Sequence, residues 1–365
     1  MGSSSSEGDV LSDAIEPEKL EKQKQQEKLE RQQKLEKLRE QRIIEYDRYY
    51  QTVLLTLGFK NHLEAHAKNC RFISAEPIFR NKAGDEIRPD IVLQYNEKRG
   101  VLCEVKTSLP FPDDYLLQSL RQLEKYSQEA IGWNTPDRMV EGHEILLFCY
   151  TLDYDRVIGK LKQWIERGAV KLSHNLCVCE WSMILNPKIA KEVLLIRLRD
   201  GKTGCDELNG ILTNNVVINI QQLVIEVEKC KFTRKEPPVE YTMVELWLNI
   251  FPEINRNTED FEALIGDILK VTYDYYIPWS NINGEYSQVR ETWIKKAMAS
   301  FCEIGLAEQV GGNPNCFKIF QSKETPKNIR DYIIDSLCTK LLGITTTKLP
   351  IETEGRALRK ISEYF

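Results

Sequence analysis

The sequence predicts an α/β protein in which helices flank a mixed central sheet, followed by a mainly helical C-terminal part. Three observations predict it. Between Tyr46 and Leu185, apolar segments alternate between helical and strand-like spacing in the order helix, strand, strand, strand, helix, strand, helix, the pattern of a layered α/β architecture. At Lys235-Glu-Pro-Pro-Val239, tandem prolines interrupt both helix and sheet. Beyond that linker, three helical segments precede a hairpin signal. A chain of 365 residues has room for two or three domains at about 100–200 residues each. Its 42% hydrophobic content supplies their cores and excludes disorder throughout.

Residues 1–15 are rich in Ser, Asp and Glu and are expected to be flexible. From Glu16 to Glu45 nine basic and eight acidic residues alternate with Gln, all strong helix formers with i,i+4 charge pairs. The apolar positions Leu20, Leu29, Leu35, Leu38 and Ile43 keep no heptad spacing. Residues 1–45 therefore read as a tail and a solvated helical arm, with a partner or self-association helix as the other reading. Tyr46–Leu57 predicts a helix ended near Gly58, and Lys60–Asn69 a second one. Strands follow at Phe72–Phe79, Pro89–Tyr95 and Val101–Thr107, with turns at Asn81–Asp85 and Asn96–Gly100. Asp113–Ala130 reads as helix, Glu144–Tyr150 as a buried strand, Arg156–Arg167 as helix and Leu176–Leu185 as strand. Residues 190–235 read as a strand-rich extension with a Gly201/Gly204 turn, so one domain spans 46–235. In 236–325, Glu240–Ile250, Phe261–Thr272 and Ser287–Glu303 read as helices. Leu306–Val310 and Cys316–Phe320 flank Gly-Gly-Asn-Pro-Asn as a hairpin. This is the layout of a winged helix. A C-terminal helical segment, 326–365, completes the chain.

A net charge of −5 excludes a polycation that coats nucleic acid indiscriminately; contact with nucleic acid needs a local basic groove or bound metal ions. The ten cysteines are scattered without a Cys-x-x-Cys pair, which points away from zinc or iron–sulfur chemistry and toward reduced thiols. No apolar run approaches the ~18–20 residues a bilayer helix needs, and the first residues lack the apolar stretch of a signal peptide. The expected location is the cytoplasm, or the nucleus of a eukaryotic cell, with no membrane partner.

The stretch richest in chemistry is Ile87-Arg-Pro-Asp90-Ile-Val-Leu-Gln-Tyr followed by Gly100-Val-Leu-Cys-Glu104-Val-Lys106-Thr. Side chains alternate along a strand, so Glu104 and Lys106 share one face while Val105 enters the core. If the two strands pair as a hairpin, Asp90 meets the end of the second. Two adjacent carboxylates repel and raise their apparent pKa. A Mg²⁺ ion, for which Mn²⁺ can substitute, resolves that conflict by taking carboxylate oxygens, a backbone carbonyl such as that of Val105, and waters. It would lower the pKa of a bound water, while Lys106 orients that water or neutralises developing charge. The set suits hydrolysis of a phosphodiester. The other Pro-Asp pairs, Pro112-Asp113 and Pro136-Asp137, lack the following strand.

These residues resemble the PD-(D/E)XK, or restriction-endonuclease-like, nuclease superfamily, with Asp90, Glu104 and Lys106 matching its motif. The resemblance implies a mixed sheet flanked by helices and Mg²⁺-dependent cleavage of nucleic acid. It also implies an upstream acid, for which Glu64 is the candidate and Glu45 and Glu76 the competitors. Gln122 and Tyr126, one helical turn apart, are similar to the Gln-x-x-x-Tyr motif of the RecB-like branch, where that helix borders the metal and contacts DNA. The resemblance covers residues 46 to about 185. No phosphate-binding Gly-x-x-x-x-Gly-Lys-Ser/Thr loop is present. On the 286–303 helix, Arg290, Lys295 and Lys296 are candidate substrate contacts, opposed by Glu285, Glu291, Glu303 and Glu308. His62 and His66 are weaker candidate metal ligands, and His143 and His174 receive no role. Trp247, Trp279 and Trp293 could stack bases, although the helical spacing of Trp247 and Trp293 favours the core. The expectation is a metal-dependent nuclease acting on DNA rather than RNA. The alternative is a non-catalytic adaptor that keeps the fold and docks nucleic acid or protein through the winged helix.

Overall fold

The computed structural model describes residues 10–344 except 97, 111, 132–140, 187–190, 222–230, 234, 258, 274, 276–285 and 322–327. The expected tail, the segment beyond 344, Trp279, Cys230 and Pro136-Asp137 therefore lie outside the described residues or partly so.

The chain opens with a single helix, α1 (Val10–His66). The stop expected at Gly58 is absent. A glycine inside a helix costs only about 1 kcal/mol. Burial of Phe59 and Leu63, both fully inaccessible, outweighs that, each worth roughly 1.5–3 kcal/mol. Phe59 packs edge-on against Phe148 at 5.1 Å. Residues 19–34 of α1 are exposed, whereas Tyr46, Tyr49, Val53 and Leu54 are buried.

Next come β1 (Cys70–Ala75), β2 (Phe79–Asn81) and β3 (Glu86–Ile87). The single strand expected over Phe72–Phe79 is broken at Glu76, whose φ is +47°. The pair β4 (Ile91–Tyr95) and β5 (Arg99–Lys106) is antiparallel, as expected, with Ile91 opposite Cys103. The predicted 113–130 helix is two pieces, α2 (Asp113–Leu120) and α3 (Gln122–Tyr126), with the hydrogen-bond ladder tightening at Arg121. Then follow β6 (Ala130–Ile131), β7 (Gly142–Tyr150), α4 (Thr151–Glu166), β8 (Leu176–Asn186) and β9 (Lys191–Asp200). The strand-rich reading of 190–235 missed α5 (Asp206–Thr213), which precedes β10 (Val216–Asn219). Its start carries Asp206 and Glu207 in the first turn, the acidic bias that suits a helix N-terminus.

Seven strands form one mixed sheet in the order β1-β4-β5-β7-β8-β9-β10. The pairs β5–β7 and β7–β8 are parallel and the outer pairs antiparallel. Parallel neighbours need a crossover, here α2–α3 and α4. Period-2 alternation divides the apolar residues between two cores. Val101, Cys103 and Val105 join Phe148, α1 and the C-terminal helices on one face. Leu102 joins Ile145, Leu147, Leu120 and Val157 on the other.

After the Pro237-Pro238 linker, α6 (Val239–Glu245) runs through a π-helical turn, Leu246–Ile250, into α7 (Phe251–Ile254). Phe261–Leu264, expected as helix, is a strand, β11, with α8 (Ile265–Tyr273) behind it. Four residues are too short for periodicity to separate strand from helix, and pairing with a distant strand decides. α9 (Tyr286–Glu303) precedes the expected hairpin, β12 (Ala307–Gln309) and β13 (Cys316–Ile319). These strands form a small sheet in the order β11-β13-β12. α10 (Ile329–Leu341) packs back on α1, where Arg39 pairs with Asp335 at 2.7 Å and Arg330 with Asp47 at 3.1 Å. No helix among the described residues is long and apolar enough to cross a membrane.

Candidate active site

The β4–β5 register places Asp90, one residue before β4, beside Glu104 near the end of β5. Lys106 closes that strand at its carboxyl end, where open α/β sheets hold their ligands. Asp90 Oδ2 accepts the Val105 backbone N–H at 2.6 Å. Lys106 Nζ donates to Glu104 Oε1 at 2.7 Å and to Gln122 Oε1 at 3.2 Å. Gln122 Nε2 donates to Glu104 Oε2 at 3.2 Å and to the Tyr126 hydroxyl at 2.6 Å. The Tyr126 hydroxyl in turn lies 2.7 Å from Glu104 Oε2 and 2.9 Å from the Arg88 carbonyl. The expected meeting of Asp90, Glu104 and Lys106 is thus formed, and Gln122 and Tyr126 join it because α3 crosses the end of β5.

Burial sets the electrostatics. Glu104 is 4% exposed. Desolvation, reinforced by Glu104 and then Glu76, pushes the Asp90 carboxyl well above the usual carboxylate range; the Val105 N–H and Lys106 only partly oppose this. Burial pulls the Lys106 ammonium down, but the Glu104 carboxylate against it, together with Asp90, leaves Lys106 above the ordinary lysine value. Tyr126, desolvated and facing the same acids, is raised and stays a neutral hydroxyl.

Glu64, expected as the upstream acid, stands apart from these residues. Glu64 is exposed on α1, pairs with Lys60 at 2.7 Å, and does not line the cleft that holds Asp90 and Glu104. Both competitors do line it. Glu76 is the closer in effect, because its charge acts on Asp90 and its backbone N–H donates to the Asp90 carbonyl at 3.0 Å. His62 and His66 lie with ring centroids 4.3 Å apart and planes tilted by 48° on α1, and are likewise absent from the cleft lining.

Two supports went unforeseen. His143, buried, sits 2.6 Å from the Tyr126 carbonyl. A carbonyl only accepts, so Nε2 carries the proton and the ring is neutral. Burial holds it down near pKa about 4. Trp181 Nε1 donates to the Lys106 carbonyl at 3.2 Å and anchors the end of β5.

The cleft has a volume of about 1100 Å³. Its floor is Asp90, Glu104, Val105 and Lys106, one wall is α1 from Leu38 to Thr52, and the linker residues 235–240 line it as well. Lys295 and Lys296 do not stand free for substrate. Lys295 pairs with Glu291 at 2.5 Å, and Lys296 pairs with Glu236 of the linker. The side chain of Arg290 lies outside the described residues. Trp247 is core, in ring contact with Phe251 and Phe301, and Trp293 is buried at the cleft wall.

Among the described residues no three His, Cys, Asp or Glu side chains converge as a ready-made metal cage. The donor set is instead two carboxylates, with backbone and water left to complete a shell. That set fits Mg²⁺, which keeps several waters and uses one or two carboxylates. Burial first, and then the repulsion of Glu104 and Glu76, raises Asp90, and a dication would relieve both. No protein-family model, curated protein or solved structure matches this chain.

Proposed function

We propose that this chain is a Mg²⁺-dependent nuclease that hydrolyses phosphodiester bonds of nucleic acid. The reading rests on one observation: Glu104, Lys106 and Gln122 hydrogen-bond to one another, and Asp90 holds the Val105 N–H between the first two, at the floor of a cleft large enough for a polynucleotide segment. Asp90 and Glu104 would hold the ion, with the Val105 carbonyl as the backbone donor. The bound ion supplies charge neutralisation at the phosphate and a more acidic water. Lys106, kept cationic by Glu104, positions the attacking water and offsets negative charge as the phosphate becomes five-coordinate. Gln122 fixes the Lys106 ammonium, and Tyr126 holds Glu104 in place from behind. In the same reading the domain is restriction-endonuclease-like. In it too, the C-terminal helices with the β11-β13-β12 sheet would be a winged helix, a reading that the three-stranded sheet supports. The ion pairs of Lys295 and Lys296 favour docking within the chain over groove reading for α9.

Incubation with plasmid, single-stranded DNA and RNA in Mg²⁺ or Mn²⁺, then in chelator, tests the reading. Chelator-sensitive breakage is expected, and Asp90→Ala or Lys106→Ala should abolish it while the circular dichroism spectrum is unchanged. Wild-type cleavage by either variant would refute the assignment. One observation favours the second reading, a non-catalytic adaptor: both Glu104 oxygens are already engaged by Lys106, Gln122 and Tyr126. Nucleic-acid binding without breakage in either metal would select it.

A further inference from the structure

Resting on the nuclease reading, we propose that the cleft admits a single polynucleotide strand and excludes an intact duplex, with Arg48 and Lys235 as its phosphate contacts. The size argument comes first. A space of about 1100 Å³ is close to the ~300–1,000 Å³ of an ordinary small-molecule pocket. It accommodates a short run of nucleotides but not a duplex, whose major groove alone is about 12 Å wide.

The cleft is also held at that width. The linker lines it and is fastened on several sides. The Lys235 backbone N–H donates to the Glu76 carboxylate beside Asp90. Glu236 pairs with Lys296 of α9. Glu240 pairs with Arg42 of α1. On the near side, the Thr233 backbone N–H donates to the Tyr49 hydroxyl at 3.0 Å. Widening for a double helix would break the bonds to both flanking helices, whereas a lone strand needs no such widening.

Charge picks out the phosphate-binding side chains. Arg42 is taken by Glu240, and Arg88 by Glu86 at 2.6 Å. Arg48 and Lys235 also line the cleft, both with exposed side chains, and no ion pair formed among the described residues uses either. They stand on opposite elements, α1 and the linker. A chain of phosphates running between them is neutralised as it reaches the acids.

Anisotropy of short labelled single strands, DNA and RNA in separate arms, is compared with a blunt duplex, using the full chain in chelator so that no cleavage intervenes. Single strands should bind roughly tenfold more tightly than the duplex. The double variant Arg48→Ala/Lys235→Ala, both positions being exposed, should weaken that binding by roughly tenfold. It should also reduce the log–log salt slope by about 1.4, at ~0.7 for each single-strand phosphate left without its cationic partner. Whether DNA or RNA binds better identifies the strand and leaves the proposal standing. Equal or tighter duplex binding, no binding of any strand, or wild-type affinity in the double variant would overturn it. A separate arm with Mg²⁺ or Mn²⁺ tells the two readings apart. Strands that bind as described but stay uncut sink the nuclease and keep the strand path. A duplex cut as fast as a single strand does the reverse.

Discussion

Glu245 is an acid lodged among tyrosines. It is 6% exposed, accepts from Asn249 Nδ2 at 2.6 Å, and lies within electrostatic reach of Tyr46, Tyr50 and Tyr241. Desolvation, only partly offset by Lys231 and Asn249, raises its carboxyl from 4.5 to about 7. The folded state therefore holds the proton more tightly than the unfolded chain. The resulting stabilisation is complete below pH 4.5 and disappears as pH rises through about 7, a loss of roughly 3 kcal/mol. Glu245→Gln should match the wild type in urea melts at pH 4.5 and exceed it at pH 8; parallel curves across that range would refute the burial argument. The residue scale also shows what was readable. Asp90, Glu104 and Lys106 could be placed from the sequence because strand alternation is a local rule, and Gln122 and Tyr126 because one helical turn is another. Glu76 and His143 obey no such rule. Glu76 takes its partner from a linker 159 residues away, and His143 reaches back to a carbonyl that only the crossover of α3 brings near.

Element boundaries depend on what glycine is asked to do. In α4, Gly159 sits mid-helix with nothing within 4 Å of where a Cβ would stand. Gly159→Ala should stabilise the protein by about 0.5–1 kcal/mol. At Gly201 φ is +76° and an added Cβ would meet the Leu176 carbonyl at 2.4 Å, so Gly201→Ala should lower the melting temperature and loosen the β9–α5 turn. Opposite shifts of the two alanine variants in thermal melts check the pair; shifts of the same sign would discredit it. The same reasoning explains the boundaries that the sequence misplaced. Gly58 looked like a helix end because propensity is local, whereas the burial of Phe59 and Leu63 is decided by the sheet. Phe261–Leu264 looked helical because its partner, Cys316–Ile319, is remote in sequence.

At the scale of the whole molecule, α1 is the element that ties the parts together. Its 57 residues run about 85 Å at ~1.5 Å per residue. The sequence suggested a boundary at residue 45, between arm and domain, yet the helix passes through it unbroken. Ion pairs with the rest of the chain begin before it, at Arg39 and Arg42. Removing residues 1–34, whose described side chains are exposed, should leave the melting temperature within a few degrees of wild type. Removing residues 1–45 should lower it clearly, because the Asp335 and Glu240 carboxylates lose their partners and buried Glu240 is left uncompensated. Equal melting temperatures for the two truncations would show that the Arg39 and Arg42 pairs contribute nothing.

In that unbroken rod, the projecting end and the wall bearing Arg42 and Arg48 belong to a single stiff lever with no joint between them. A load on the outer end is therefore carried along the helix to the wall, with no hinge in the rod to absorb it.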